Sequence, residues 1–104
     1  QLVSIPPGTL QATVALSFRV YSNDSAQDKH DFLRLRITDE GHTELHSAEI
    51  ASNTSTWDTW LEWGSGDLSQ YGGQSIYLDF RCTTDSSDYT VFWLDDITFM
   101  AKVP

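Results

Sequence analysis

Residues 10–21, LQATVALSFRVY, decide the fold class. Leu10, Ala12, Val14, Leu16, Phe18 and Val20 fall on one side of an extended chain, and Ser17, Arg19 and Tyr21 on the other. Successive side chains of a strand point to opposite faces, so this period of two predicts a half-buried β-strand. The same period recurs outward from this stretch. FLRLRIT (32–38) sets Leu33, Leu35 and Ile37 inward and Arg34 and Arg36 outward. SIYLDFRC (75–82) sets Ile76, Leu78, Phe80 and Cys82 inward against Tyr77, Asp79 and Arg81. STWDTWLEW (55–63) sets Trp57, Leu61 and Trp63 against Asp58, Trp60 and Glu62. HTELHSAEI (42–50) reads as a weaker edge strand, and YTVFWLDDITFM (89–100) as the last strand.

The segments between them are turn-like. DEGH (39–42) predicts a hairpin with a positive φ at Gly41. Asp67 can cap one short helical turn through Tyr71, ended by Gly72 and Gly73. No long stretch carries the 3.6-residue period of a helix. Seven to nine short strands separated by turns predict an all-β chain, an antiparallel β-sandwich.

Composition sets the outer limits. The 104 residues suit one domain with one modest core, and 39% hydrophobic residues are enough to build it. A formal net charge of -9 argues against nucleic-acid binding, which needs basic surface to release counterions. It argues equally against anionic membranes and is compatible with cation binding. The apolar runs are far shorter than the roughly 20 residues of a membrane helix. The single cysteine, Cys82, excludes an internal disulfide and reads as an inert core thiol. The expectation for residues 1–104 is a single β-sandwich module excised from a longer multidomain protein.

Several stretches occur in a characteristic order: SIPPGTLQATVALSFRVYS (4–22), HDFLRLRITDEG (30–41), a Trp-bearing strand, DLSQYGGQSIYLDF (67–80) and FWLDDITF (92–99). Together they resemble the MAM-like and concanavalin-like jelly-roll accessory modules of secreted bacterial proteins. DLSQYGGQSIYLDF and LDDI are the most specific pieces. The resemblance implies a jelly-roll topology, a secreted or cell-surface location and a non-catalytic role beside neighbouring domains of the parent chain. Such modules usually carry one or two more strands before the stretch matching SIPPG. If those N-terminal strands are lacking, an exposed edge invites dimerisation.

The side-by-side acids Asp95 and Asp96 need an explanation inside an apolar run, because a buried unpaired charge is costly. Glycoside hydrolysis needs two carboxyls facing one cleft, whereas neighbours on a strand diverge unless a bulge re-aims one. A metal is the second reading. The acidic loop SNDSAQDKHD (22–31) holds Asn23, Asp24, Asp28 and Asp31, and calcium takes several oxygen ligands. The resemblance carries a structural Ca2+ onto Asp31 and Asp96, with Asp24 matching less securely. The third reading is a carboxylate that turns inward and accepts hydrogen bonds, fixing the strand's register. The cation and the hydrogen-bond network remain open alternatives for Asp96.

Other chemistry is sparser. His42, Glu44 and His46 share a strand face and are zinc-type ligands, although their segment reads as a solvated edge. Arg19, Arg34, Arg36 and Arg81 all occupy outward positions near Tyr21 or Tyr77. If their strands share one sheet they form a cationic, aromatic face suited to carbohydrate. Otherwise Arg34 and Arg36 serve in cross-strand pairs with Asp79 or glutamates. Trp57, Trp63 and Trp93 are expected in the core or at its rim, and Trp60 exposed as a sugar-stacking candidate. Asn23 and Asn53 begin glycosylation sequons. No nucleophile elbow or phosphate loop is present. The functional expectation is carbohydrate recognition, with a structural or protein-interaction module as the alternative, and with no enzyme activity, nucleic-acid binding or membrane insertion.

Overall fold

The computed structural model describes residues 1–22, 29–55, 59–84 and 90–103. Seven strands occur among them: β1 (Leu2–Ser4), β2 (Gln11–Ser22), β3 (Phe32–Thr38), β4 (Glu44–Ser52), β5 (Leu61–Gly64), β6 (Ser75–Thr83) and β7 (Thr90–Lys102). They form two antiparallel sheets, one ordered β1-β6-β3-β4 and the other β5-β2-β7. The architecture is an all-β open sandwich of four strands against three.

The alternation in residues 10–21 fixes this arrangement. Ala12, Val14, Leu16, Phe18 and Val20 of β2 are buried against Leu33, Leu35 and Ile37 of β3 and Ile76 and Leu78 of β6. Each large aliphatic side chain buried this way contributes about 1.5–3 kcal/mol. Leu10, expected to start this inward row, lies before β2 and is exposed. Cys82 keeps the inward parity of β6 but is exposed near the strand's end. It is therefore no core thiol. Partial desolvation and, less strongly, the Asp31 charge push its pKa up, away from nucleophilic behaviour.

The turns follow local chemistry. Between β3 and β4, Asp39 Oδ1 accepts the N–H groups of Gly41 and Thr43, both at 2.9 Å. The positive φ falls on His42 (65°) rather than on Gly41. Asp67 Oδ1 accepts the N–H groups of Ala12 and Ser69 at 3.0 Å, and Ser69 Oγ donates to Oδ2 at 2.7 Å. One 3-10 turn, Ser69–Tyr71, follows, and Gly73 takes φ 82° after it. Asp67 thus ties this turn to β2 while pairing with the residue two ahead. Its partners, Ala12 first, hold its carboxyl below the usual range.

The edges differ. β4 pairs only with β3 and is the edge strand expected from its sequence. β7 is a thirteen-residue edge that pairs only with β2, and its inward residues Phe92, Leu94 and Phe99 are only partly buried.

Candidate functional site

The acids of FWLDDITF build a β-bulge. Ser17 pairs with Asp95 and Ala15 with Thr98, so Leu16 alone faces Asp96 and Ile97. Asp96 takes φ 53°, the left-handed conformation that short polar residues tolerate best after glycine. Asp95 Oδ1 accepts the Asp96 N–H at 2.8 Å. Both acids are exposed. The bulge also resets the strand's phase. Phe92 and Leu94 face inward before it, and Phe99 after it, although their numbers differ in parity.

The bulge answers where the predicted metal ligands lie. Asp31 is completely buried, and Thr90 at the start of β7 donates its hydroxyl to Asp31 Oδ2. That leaves Ser22 to donate to Thr90 Oγ1 at 2.8 Å, since the threonine has one proton to give. Asp96 stands six residues further along β7, roughly 20 Å away at about 3.3 Å per residue. It faces solvent at the bulge, and Asp31 is the acid that turns inward to a hydroxyl. Asp24 lies outside the described residues, as do Asn23 and Asp28. No group of three or more His, Cys, Asp or Glu side chains among the described residues is placed to hold a metal ion. His42 is in the β3–β4 turn, stacked on Tyr77 at 5.0 Å, and His46 is exposed on β4.

The carboxamide of Asn53 is equally committed. Its Oδ1 accepts the N–H groups of His30 at 2.8 Å and Asp31 at 3.1 Å, and the residue is buried. This closes the end of β4 onto the start of β3 and leaves that sequon poorly placed to accept a glycan.

The expected Arg and Tyr set is divided between the two sheets. Arg34, Arg36, Tyr77 and Arg81 share the outer face of the four-stranded sheet; Arg19 and Tyr21 belong to β2 in the other. On the four-stranded face the ion-pair reading made for Arg34 and Arg36 holds for Arg36 alone among the described residues, and Arg81 forms a further pair. Arg36 Nε lies 2.9 Å from Glu44 Oε1 and its Nη1 3.7 Å from Asp79 Oδ2, while Arg81 Nε lies 2.7 Å from Asp79 Oδ2. The Arg81 hydrogen bond holds the Asp79 carboxyl below its usual range. Arg34 instead lies over the Phe32 ring at 4.1 Å.

The three-stranded face is aromatic. Arg19 pairs in register with Trp93, and its guanidinium lies 5.2 Å from that ring's centroid. Trp60 directly precedes β5, one residue beyond the Phe18–Leu61 pair, which brings it level with Arg19 on the other side of β2. Trp60 is 48% exposed and Trp93 41%. Tyr21 is exposed further along β2. Toward the bulge the same face opens into a depression of about 480 Å³, lined among others by Ser17, Glu62, Trp63 and Asp96. Trp63 packs against the core as expected, and Trp57 lies outside the described residues. Trp93, expected in the core or at its rim, instead faces outward, and its place beside Arg19 is what the sequence reading missed. Its signal was parity: with Phe92 and Leu94 inward, the residue between them must face out.

No protein-family model, curated protein or solved structure matches the chain. The molecule itself defines a class, an all-β antiparallel sandwich of two sheets with a charged outer face and an aromatic one.

Proposed function

We propose that the chain is a non-catalytic carbohydrate-binding module, of the jelly-roll kind that the MAM-like resemblance implies, serving a secreted or cell-surface protein. The observation that carries this reading is the outward pair Trp60 and Trp93 flanking Arg19. Large aromatics half open to water leave apolar surface exposed, and where they gather on one face such surface marks a contact site. Indole rings offer apolar faces to sugar rings. Beside them, Ser17, Glu62 and Asp96 offer hydroxyl and carboxylate groups to sugar hydroxyls. A depression of this size falls within the range of about 300–1,000 Å³ typical of ligand sites. Binding rather than catalysis fits carboxylates open to solvent, since a general acid needs a less hydrated setting.

Titration of neutral oligosaccharides, selected by glycan array, tests this. Trp93→Ala and Trp60→Ala should each weaken binding by about tenfold or more, as loss of an aromatic anchor does. Retention of no glycan, or equal binding by both variants, would overturn the reading in favour of a structural or protein-interaction module.

A further inference from the structure

The outer face of the four-stranded sheet carries a feature that fold stability does not need. Arg34 and Arg81 sit directly opposite each other in the β3–β6 register. Like charges so placed repel. The protein has only six Lys and Arg against fifteen Asp and Glu, yet half of the six, Arg34, Arg36 and Arg81, are gathered here. Among the described residues, no carboxylate lies within ion-pair distance of Arg34. Glu49 stands opposite Arg34 in the β3–β4 register but is paired with Lys29; Asp79 and Glu44 offset two of the three arginine charges, leaving one positive charge in excess on a chain of net charge -9.

Two adjoining hollows line this face. One, of about 350 Å³, is bordered by Arg34, Arg36, Arg81, Ser47 and Thr83, and by Glu44, whose carboxylate is held by Arg36. The other, of about 360 Å³, shares Arg36 and Arg81 and adds Gln1, Thr38, His42, Tyr77, Leu78 and Asp79, the last already paired with Arg81. Thr38 is 2% exposed, and its Oγ1 has no hydrogen-bond partner among the described residues. A buried hydroxyl without a partner is a cost to the free protein that a ligand oxygen can remove.

We infer that this trough is a second binding site, independent of the aromatic face, for the carboxylate of an acidic saccharide. The guanidiniums of Arg34 and Arg81 take the carboxylate by paired N–H donation, the geometry in which arginine surpasses lysine. Thr38, Ser47 and Thr83 meet the neighbouring sugar hydroxyls. The Tyr77 and His42 rings close one end.

Calorimetric titration with an oligomer of uronic acid, its neutral counterpart and a sulfated counterpart of equal length tests the assignment. The uronic oligomer should bind, and more weakly as salt rises. Arg34→Ala and Arg81→Ala should each reduce its affinity about tenfold, as expected for a lost charge-assisted bond. Thr38→Val keeps the shape and removes the hydroxyl. It should leave the melting temperature unchanged or raised while weakening the uronic oligomer, a combination that a purely structural threonine does not produce. Trp93→Ala should leave this binding intact. Equal affinity for the neutral oligomer, preference for the sulfated one, no measurable binding, or indifference to the arginine and Thr38 variants would each overturn the proposal.

Discussion

The two outer faces of the sandwich are built from the same kind of strand and solve the same problem differently. On the four-stranded sheet the outward residues of β3 and β6 include Arg34, Arg36, Asp79 and Arg81, and all of these but Arg34 are neutralised within the face through Arg36–Glu44 and Arg81–Asp79. On the three-stranded sheet Trp60 and Trp93 stand out among small and polar outward residues, and the one central guanidinium, Arg19, lies against an indole. The ion pairs of the charged face are exposed, so water and salt weaken them. The aromatic face leaves apolar surface exposed at Trp60 and Trp93. On the charged face the arginine that stands out is Arg34, set opposite Arg81.

Crossing ligands with faces gives the largest expected effect. Under the two proposals, a Trp60→Ala/Trp93→Ala variant loses neutral glycan by more than tenfold and keeps the uronic oligomer, while Arg34→Ala/Arg81→Ala does the reverse. Raising salt from about 0.05 to about 0.5 M should weaken the second interaction and leave the first nearly unchanged. If one pair of substitutions abolishes both ligands, the faces are not independent and the comparison fails.

The Asp96 bulge comes next in magnitude. Asp96→Val places a β-branched side chain at φ 53° and should destabilise the fold by about 1–2 kcal/mol in denaturant melts. Asp96→Gly removes the Cβ at that position and should stabilise by a few tenths to about 1 kcal/mol. Because Asp96 also borders the depression, the glycine variant should be the more stable protein and the weaker binder of neutral glycan. An equally stable Asp96→Val chain would mean that the bulge is not fixed by this residue.

The bulge shows how much was legible beforehand. Strand positions were readable because Val14, Leu16 and Phe18, or Leu33, Leu35 and Ile37, repeat with period two where burial decides the pattern. The phase slip from Leu94 to Phe99 was also written in the sequence, since both face inward across an odd interval. It predicts an inserted residue at the two acids. By contrast, nothing local says that Arg19 and Arg34 lie on different sheets, because each sits in an alternating strand with arginine outward. That partition depends on which strands pair across long separations. The burial of Asp31 is of the same kind, resting on Thr90, 59 residues away. His42 took the left-handed position expected of Gly41 because Asp39 gathers the Gly41 and Thr43 amides around it.

A smaller effect sharpens the charged side of the comparison. In a cycle of Arg34→Gln, Arg81→Gln and the double variant, the coupling between the two positions should be unfavourable by about 0.2–1 kcal/mol at low salt. It should vanish at high salt. The cycle removes the separate contributions of the Phe32 stacking and of the Asp79 pair, which confuse either single variant. A favourable coupling would mean that the two guanidiniums share a partner within the free protein, and the opposed pair would then be no sign of a ligand.

The smallest effect separates the faces by pH. Asp79 on the charged face and Asp67, which holds Ala12 at the start of β2, both have carboxyl pKa values below the usual 3.8. The unfolded chain takes up protons at these positions first as the pH falls. Their contribution is therefore complete well above pH 3.8 and is lost as the pH drops through the lower folded values. The causes differ. Asp79 is held down chiefly by the Arg81 hydrogen bond and by the Arg81 and Arg36 charges, which salt screens. Asp67 is held down chiefly by the Ala12 amide, and by the Ser69 hydroxyl and amide, which salt barely touches. Melting temperatures from pH 5 to pH 2.5 should thus fall less steeply in Asp67→Asn and in Asp79→Asn than in the parent. High salt should flatten the Asp79 share alone, so that Asp79→Asn and its parent converge while Asp67→Asn stays distinct. If salt instead erases the difference at Asp67, long-range charge and not the β2 amide sets its pKa, and the contrast between a charged sheet and a sheet held by neutral donors no longer stands.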